Sequence, residues 1–462
     1  MFCLLAADST SDLFYFSWDE VLSPNVFVFY AAYIVAFFFT PIMRRIAVFY
    51  GIVDQPDGIR KMHTRAVAYL GGLAVFLGWL AGLTMSQFVR MHHLDSLKKL
   101  GIITPDSAAY LVIPFSLVVA AFAIILLGLW DDILHMSPWK KLLGQIAAGA
   151  LLVAGGIGER TAAAILDPLM IRLAKFGLPG VAPNWLIAVS SACMVIGLVV
   201  ICCNATNLMD GLDGLCGGVT AIVAAGFLFL AVSLAMTSGT VDANTDAMRV
   251  VIALALLGAV LGFVPFNFNP ASIFMGDTGS MFLGFTCAVL MILFADSGHF
   301  KWLIGSLVMF SLPLLDTGLA FTRRWVNGRP LFSADRFHFH HQLVGRGFTV
   351  RQTVIISYTL AVIFCILGAA VVFIRARYAV GVWLVIFGSI IVAAYKMGMV
   401  HERVDIVKRR PLATEDVKVG PAEPGAFLEV SEELPDPAGS EVPLAQGSYS
   451  VDSKTSQATT QT

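Results

Sequence analysis

Charge is scarce in this chain of 462 residues: 13% are Asp, Glu, Lys or Arg and 58% are hydrophobic, against roughly 25% and roughly 45–50% in soluble domains. That balance argues against a conventional soluble enzyme. A basic surplus is missing too, because 30 Lys and Arg face 31 Asp and Glu. Nothing in the bulk charge argues for nucleic acid, and none is expected as a partner; any phosphate-binding charge must be local. Cysteine is sparse, at seven residues. All but Cys3 lie in or beside apolar runs with no repeated ligand spacing, which argues against a disulfide framework or a zinc site. No basic residue precedes Arg44, so a cleaved signal peptide is not expected. No internal repeat is visible, which counts against the inverted-repeat transporters, the rival reading from another class.

What is abundant is apolar runs about 20 residues long, enough to cross roughly 30 Å of hydrocarbon as helices. Eleven such runs predict an all-α, polytopic membrane protein with spans near 26–48, 69–88, 111–130, 140–157, 185–203, 215–236, 248–266, 279–296, 301–321, 353–374 and 378–399. Backbone that crosses lipid must satisfy its hydrogen bonds internally, which leaves helices as the economical choice. Lys and Arg collect in the odd-to-even connections, among them Arg44, Arg60, Lys61, Lys140, Arg323, Arg336 and Arg351. The positive-inside rule makes those connections cytoplasmic, with the N-terminus outside and the C-terminus inside. The chain thus divides into an extracytoplasmic segment over 1–25, a membrane domain over 26–400 and a cytoplasmic tail over 401–462. The tail is rich in Pro, Glu, Ser and Thr, and its composition predicts disorder.

A carboxylate near hydrocarbon is costly unless paired, hydrated or metal-bound, so polar residues at span ends carry the information. The first cytoplasmic loop reads DQPDGIRKMHTRAVAYLGG, which serves equally as a positive-inside loop or a phosphate site holding Lys61 and His63. The third span ends in Asp131 and Asp132, followed by Lys140, Lys141 and Gln145. Neighbouring helical positions point about 100° apart, so one aspartate can face a cleft while the other holds a lysine or a helix N-terminus. A solvated capping pair is the plainer alternative.

The fifth span runs into NATNLMDGLDGLCGG, where Asn204, Asn207, Asp210 and Asp213 recur every three residues. On a helix that spacing brings neighbours within reach, and their oxygens suit a hard divalent cation; a turn between spans would also use Asn, Asp and Gly. In FNFNPASIFMGDTGS, Asp277 could cap the eighth span or approach a metal or phosphate. The last large loop carries His338, His340 and His341 beside Asp335 and several arginines. Without cysteine or an HExxH helix, phosphate or sugar contacts suit these rings better than zinc. Four loops on one side could therefore converge on one magnesium and one diphosphate. A metal at the membrane edge would serve transfer of a phosphosugar from a soluble diphosphate to a lipid phosphate, because neither substrate then leaves its phase.

At these residues the chain resembles the polyprenyl-phosphate N-acetylhexosamine-1-phosphate transferases of glycosyltransferase family 4. Their first-loop signature is matched by Asp54, Pro56, Arg60, Lys61, His63, Gly71 and Gly72, with Ala66 and Ala68 where prolines are usual. Their Asp-Asp motif falls on Asp131 and Asp132, their Asn/Asp row on Asn204, Asn207, Asp210 and Asp213, and their F-x-G-D-x-G-S motif on Phe274, Gly276, Asp277 and Ser280. The resemblance implies magnesium on Asp277 and Asn207, with manganese as an alternative. It implies catalytic roles for Asp131, Asp132 and Asp210, and substrate contacts from Lys61, His63, Lys140, Asn204, Asp213, His338, His340 and His341. The run Asp335-Arg336-Phe337-His338-Phe339-His340-His341 resembles the N-acetylglucosamine branch rather than the three consecutive histidines of the phospho-N-acetylmuramoyl-pentapeptide transferases. The implied substrates are UDP-N-acetylglucosamine, or another UDP-N-acetylhexosamine, and undecaprenyl phosphate, met at a bacterial inner membrane to start a surface glycan. A homodimer is carried as an alternative to the monomer.

Overall fold

The structure, a computed structural model, describes residues 17–55, 66–99, 113–176, 181–237, 243–328 and 338–374, with scattered positions between 378 and 392. Those residues belong to the unit Met1–Val404; the second unit, Asp405–Thr462, lies outside the described residues, as do the eleventh expected span for the most part and the acidic tail.

The helices, in order, are α1 (Trp18–Leu22), α2 (Val26–Phe49), α3 (Gly71–Lys99), α4 (Phe115–Leu134), α5 (Pro138–Ala154), α6 (Ala163–Leu173), α7 (Asn184–Met209), α8 (Leu215–Thr237), α9 (Ala243–Asn267), α10 (Gly276–Ala295), α11 (Phe300–Met309), α12 (Ser311–Val326), α13 (Phe339–Gly345) and α14 (Val350–Phe373). Among the described residues eight helices are long and apolar enough to cross a membrane, or nine if the bent pair α11 and α12 counts as one. This is a mostly helical, polytopic membrane architecture, with differences from the eleven expected spans. The expected span 140–157 is a helix of only 17 residues, because Gly155 and Gly156 end it. The expected span 301–321 is two helices meeting at 74°, with Phe310 the break between them.

Apolar side chains face outward as well as inward. Phe27, Tyr30, Ile34 and Phe38 are exposed along one stripe of α2, and Ile355, Val362, Ile366 and Phe373 along α14. Stripes of this kind need an apolar surrounding. The hydrophobic core centres on α10, whose spanning window is wholly buried, packed against α7, α4 and α3. Trp79 and Phe76 of α3 meet the Phe282 ring of α10 at centroid distances of 5.3 and 5.5 Å.

Small residues let α10 start at the middle of this packing. A Cβ on Gly72 would collide with the backbone of Gly279, and one on Gly128 of α4 would collide with the backbone of Thr278. Gly276 has φ of +70° and a Cβ there would meet the Asp132 carboxylate at 2.6 Å, so the helix can begin in this place only with glycine.

The connections α4–α5, α7–α8, α9–α10 and α2–α3 gather at one end of the bundle. Here the all-α expectation meets a short exception, a ribbon of β1 (Val53–Asp54) and β2 (Val67–Ala68), antiparallel with Val53 opposite Ala68 and Asp54 opposite Val67. Backbone that enters the bundle must find partners. The ribbon supplies them, with Phe274 N–H donating to the Ala68 carbonyl at 2.8 Å, and Gly71 and Gly72 N–H donating to the Phe274 and Met275 carbonyls at 3.0 Å. The paired glycines of the first loop therefore strap that loop to the entry of α10.

Gly72→Ala should lower the thermal midpoint in detergent, because overpacking a close backbone contact costs about 1–3 kcal/mol. Gly197→Ala in α7, where an added Cβ meets nothing within 4 Å, should leave the midpoint unchanged or raise it. Equal midpoints for Gly72→Ala and wild type would refute the close-packing account.

Candidate active site

The site is built where α4 ends, α5 and α10 begin and α7 ends. The two adjacent aspartates divide the work. Asp132 accepts from the backbone N–H of Asp277 at 2.7 Å, from that of Thr278 at 3.0 Å, and from the Thr278 hydroxyl at 2.6 Å. It caps α10 from a neighbouring helix, since the residue before the helix, Met275, has no capping side chain. A carboxylate there is favoured by the unpaired N–H groups and the helix dipole.

Asp131, buried, accepts from Met136 N–H at 2.6 Å and pairs with the Lys141 ammonium. Lys141 is also 2.5 Å from Oδ2 of Asp277, so one cation joins two carboxylates from different helices. Asp277 does not cap its own helix. Its Oδ1 accepts from the Asn207 amide at 2.6 Å, and the same amide donates to the Ser280 hydroxyl at 3.1 Å.

The Asn/Asp row is only half helical. α7 ends at Met209, and Asp210 already has ψ of 55°; with Gly211 and Gly214 following, the last two members leave the helix axis. Asn204, one turn deeper than Asn207, donates to Gln145 Oε1 of α5 at 2.6 Å. Asp213 accepts from Asn269 Nδ2 and from Ala271 N–H, both at 3.0 Å, and so ties this turn to the loop before α10. Asp210 stands between the two groups. Burial pushes its carboxyl up to about 8, helped by repulsion from Asp277, Asp132 and Asp213.

The histidine segment forms the start of α13. His338 Nδ1 lies 3.2 Å from Asp316 Oδ2, and the His338 and His340 rings stack with centroids 5.7 Å apart. His340 is buried and its Nε2 rests against Gly211, with no hydrogen-bond partner among the described residues. Burial holds that imidazole down to about 3, opposed by Asp316 and reinforced by His341 and His338. The His341 ring lies 4.3 Å from that of His340.

The structure therefore brings together Asp131, Asp132, Asn204, Asn207, Asp210 and Asp277, with Asp213, His338, His340 and His341 around the same turn. Lys61 and His63 lie outside the described residues, as do Asp335 and Arg336. Lys140 is exposed at the first turn of α5, and it is its neighbour Lys141 that enters the carboxylate group. Helical phase carried that signal: Lys141 lies four residues before buried Gln145, on the face that continues through Ala148, Gly149 and Leu152.

Tyr69 was also missed. Its hydroxyl bonds to Asp54, and burial, Asp54, Asp132 and Asp277 all raise its pKa, so the phenol stays protonated. Only its place just before the paired glycines could have marked it.

Among the described residues no three carboxylate, imidazole or thiol groups converge as a ready metal cage. The donors that come nearest are Asp131 and Asp277, joined by a cation, with the Asn207 amide on Asp277. Carboxylate and amide oxygens suit a hard ion such as magnesium rather than a soft one.

The sequence pattern described as Glycosyl transferase family 4 matches residues 114–295, a span that runs from the start of α4 to the end of α10. A probable undecaprenyl-phosphate N-acetylglucosaminyl 1-phosphate transferase of Bacillus subtilis (strain 168) is 31% identical over 394 residues, 83% of this chain and 95% of that protein. A decaprenyl-phosphate N-acetylglucosaminephosphotransferase of Mycobacterium tuberculosis (strain ATCC 25618 / H37Rv) is 32% identical, covering 78% and 85%. A phospho-N-acetylmuramoyl-pentapeptide-transferase of Moorella thermoacetica is 31% identical, covering 69% and 88%.

Asp210 sets a pH dependence of stability. Its folded pKa of about 8 exceeds the roughly 3.9 of an unfolded aspartate, so its contribution is whole below about pH 4 and is lost as pH rises through about 8. In chelator, the thermal midpoint of Asp210→Asn should exceed that of wild type by a margin that widens between about pH 5 and about pH 9. A margin that is constant or narrows with pH would contradict the assignment.

Proposed function

The chain belongs to glycosyl transferase family 4, and from that premise we propose that it transfers N-acetylglucosamine 1-phosphate from UDP-N-acetylglucosamine to undecaprenyl phosphate. The products are undecaprenyl-diphosphate-N-acetylglucosamine and UMP, and the lipid product would initiate a cell-surface glycan. The observation that carries this reading is the Asp131–Lys141–Asp277 group, in which two carboxylates at the ends of membrane-long helices are joined by a lysine from the shorter α5. It puts charge chemistry where a soluble nucleotide and a lipid phosphate can meet.

An oxygen of the lipid phosphate attacks the phosphorus that bears the sugar, and the bond from that phosphorus to the bridging oxygen breaks as UMP departs. A phosphate monoester has its second pKa near 6, so the nucleophile needs little deprotonation at neutral pH. Catalysis is then mostly positioning and electrostatics. Asp277 and the Asn207 amide oxygen would hold magnesium, with Asp131 and Asp210 beside them. Magnesium bound there would offset charge on the diphosphate oxygens during displacement. Lys141 keeps Asp131 and Asp277 together before substrate arrives, and Asp132 fixes where Asp277 stands. Asp131 would orient the lipid phosphate. His338, His340 and His341 flank the Asp210–Asp213 turn, which suits contacts to the nucleotide sugar, and Lys61 and His63 would add phosphate contacts.

Two features support the N-acetylglucosamine donor over the muramoyl-pentapeptide one: the D-R-F-H-F-H-H run, and the longer coverage of relatives named for N-acetylglucosamine phosphate transfer. A transporter would place its carboxylates near mid-span. Here they stand at helix ends, on the side that we take, from the lysine and arginine distribution, as the cytoplasmic face of a bacterial inner membrane.

Purified protein should release UMP from UDP-N-acetylglucosamine only when undecaprenyl phosphate and magnesium are both present; release without lipid would indicate hydrolysis or a covalent intermediate instead. Asp277→Asn should lower turnover by roughly 100-fold or more with the fold retained, and unchanged turnover would remove its metal role. Lys141→Met should lower turnover roughly 100-fold while Lys140→Met stays near wild type, and the reverse ranking would refute the choice of lysine.

A further inference from the structure

Asp316 lies in α12 within the apolar run SLPLLDTGLAF and is 4% exposed. A carboxylate in such surroundings is costly unless its oxygens are engaged. Both are. Oδ1 accepts from Phe339 N–H at 2.7 Å, while Oδ2 stands 3.2 Å from Nδ1 of His338 and 3.8 Å from Nδ1 of His340.

These contacts decide which ring nitrogen of His338 carries a proton. An ionised carboxylate only accepts hydrogen bonds, so Nδ1 must be the donor. In the neutral ring that leaves the lone pair on Nε2, and among the described residues no hydrogen bond engages Nε2 of His338. The ring cannot turn away easily. It stacks at 8° on His340, which is itself packed against Gly211 of the turn carrying Asp210 and Asp213.

We propose that Asp316 is a positioning residue that locks His338 as the Nδ1–H tautomer and so presents Nε2 as a hydrogen-bond acceptor to the amide N–H of the donor's N-acetyl group. The sugar contact rests on the transferase reading above; the tautomer does not. Such an acceptor recognises groups that the cations of a phosphate site cannot engage. A ring holding the wrong proton would instead point N–H at N–H.

Asp316→Asn isolates this role. The Phe339 N–H needs an acceptor, so the amide oxygen stays on it and the amide nitrogen turns to His338 Nδ1. Nδ1 must then accept, which forces the Nε2–H tautomer with size and shape unchanged.

The test uses full-length protein in lipid nanodiscs with ¹⁵N-labelled histidine, His338 being assigned by the signals lost in His338→Gln. Wild type should show Nδ1 protonated and Nε2 bare, and Asp316→Asn the reverse. The same variant should lose roughly 100-fold in kcat/KM for UDP-N-acetylglucosamine, with the KM for undecaprenyl phosphate and the thermal midpoint preserved. Asp316→Glu, which keeps the carboxylate, should restore the wild-type tautomer and part of the activity. An Nε2–H tautomer in wild type overturns the proposal, as does an unchanged tautomer or unchanged kcat/KM in Asp316→Asn. Joint loss of both KM values and of the thermal midpoint would mark Asp316 as merely structural and also overturn it. Should Asp316→Asn fail to fold, the wild-type spectrum still decides the tautomer. Wild type that releases no UMP defeats the transferase reading while leaving that spectrum as the test of Asp316.

Discussion

The first turn of α10 has to hold a carboxylate, Asp277, at the edge of an apolar bundle, and the rest of the site depends on how that charge is balanced. Three neighbours share the task. Asp132 takes up the N–H groups that the start of the helix leaves open, Lys141 supplies a positive charge at 2.5 Å, and Asn207 donates an amide hydrogen bond. Each comes from a different helix, so the balance cannot form until α4, α5, α7 and α10 are packed. Asp131, held by the same lysine, is buried, and a buried charge left without its partner costs several kcal/mol, which makes the electrostatic arrangement a constraint on assembly as well as on chemistry.

That constraint accounts for the glycines. Bringing four helix ends within hydrogen-bond reach requires backbones closer than side chains normally allow, and Gly72, Gly128 and Gly276 supply the room around α10. It also accounts for the short β ribbon, which satisfies backbone groups of the first loop where they meet the entry of α10. Carboxylates at helix ends rather than at mid-span stay within reach of water and of a soluble nucleotide while adjoining lipid. An enzyme that joins two substrates from different phases needs that depth.

Around this centre, the turn after α7 has a second function. Asp213 fastens it to the loop before α10, and Tyr358 of α14 donates to the Gly214 carbonyl at 2.6 Å. On the other side His340 packs onto Gly211, and Asp316 anchors the same histidine segment from α12. The carboxylates and the histidines are thus joined through one turn, held from opposite flanks.

Hydropathy marked where most of the long apolar helices lie, though not which of them are membrane-long or bent, because a helix in lipid must satisfy its own backbone and so leaves an apolar run as its record. The order of polar motifs at helix ends determined the family and marked Asp131, Asp132, Asn207, Asp210 and Asp277 as one group, because a costly residue beside lipid stands out against its surroundings. Which of two adjacent residues does which task was decided only by tertiary structure. Asp132 caps while Asp131 pairs, and Lys141 enters while Lys140 faces out, because those choices depend on rotation and close approach between helices distant in sequence. Tyr69 and Asp316 were hidden for the same reason: each gains its meaning from partners that the chain order does not place beside it.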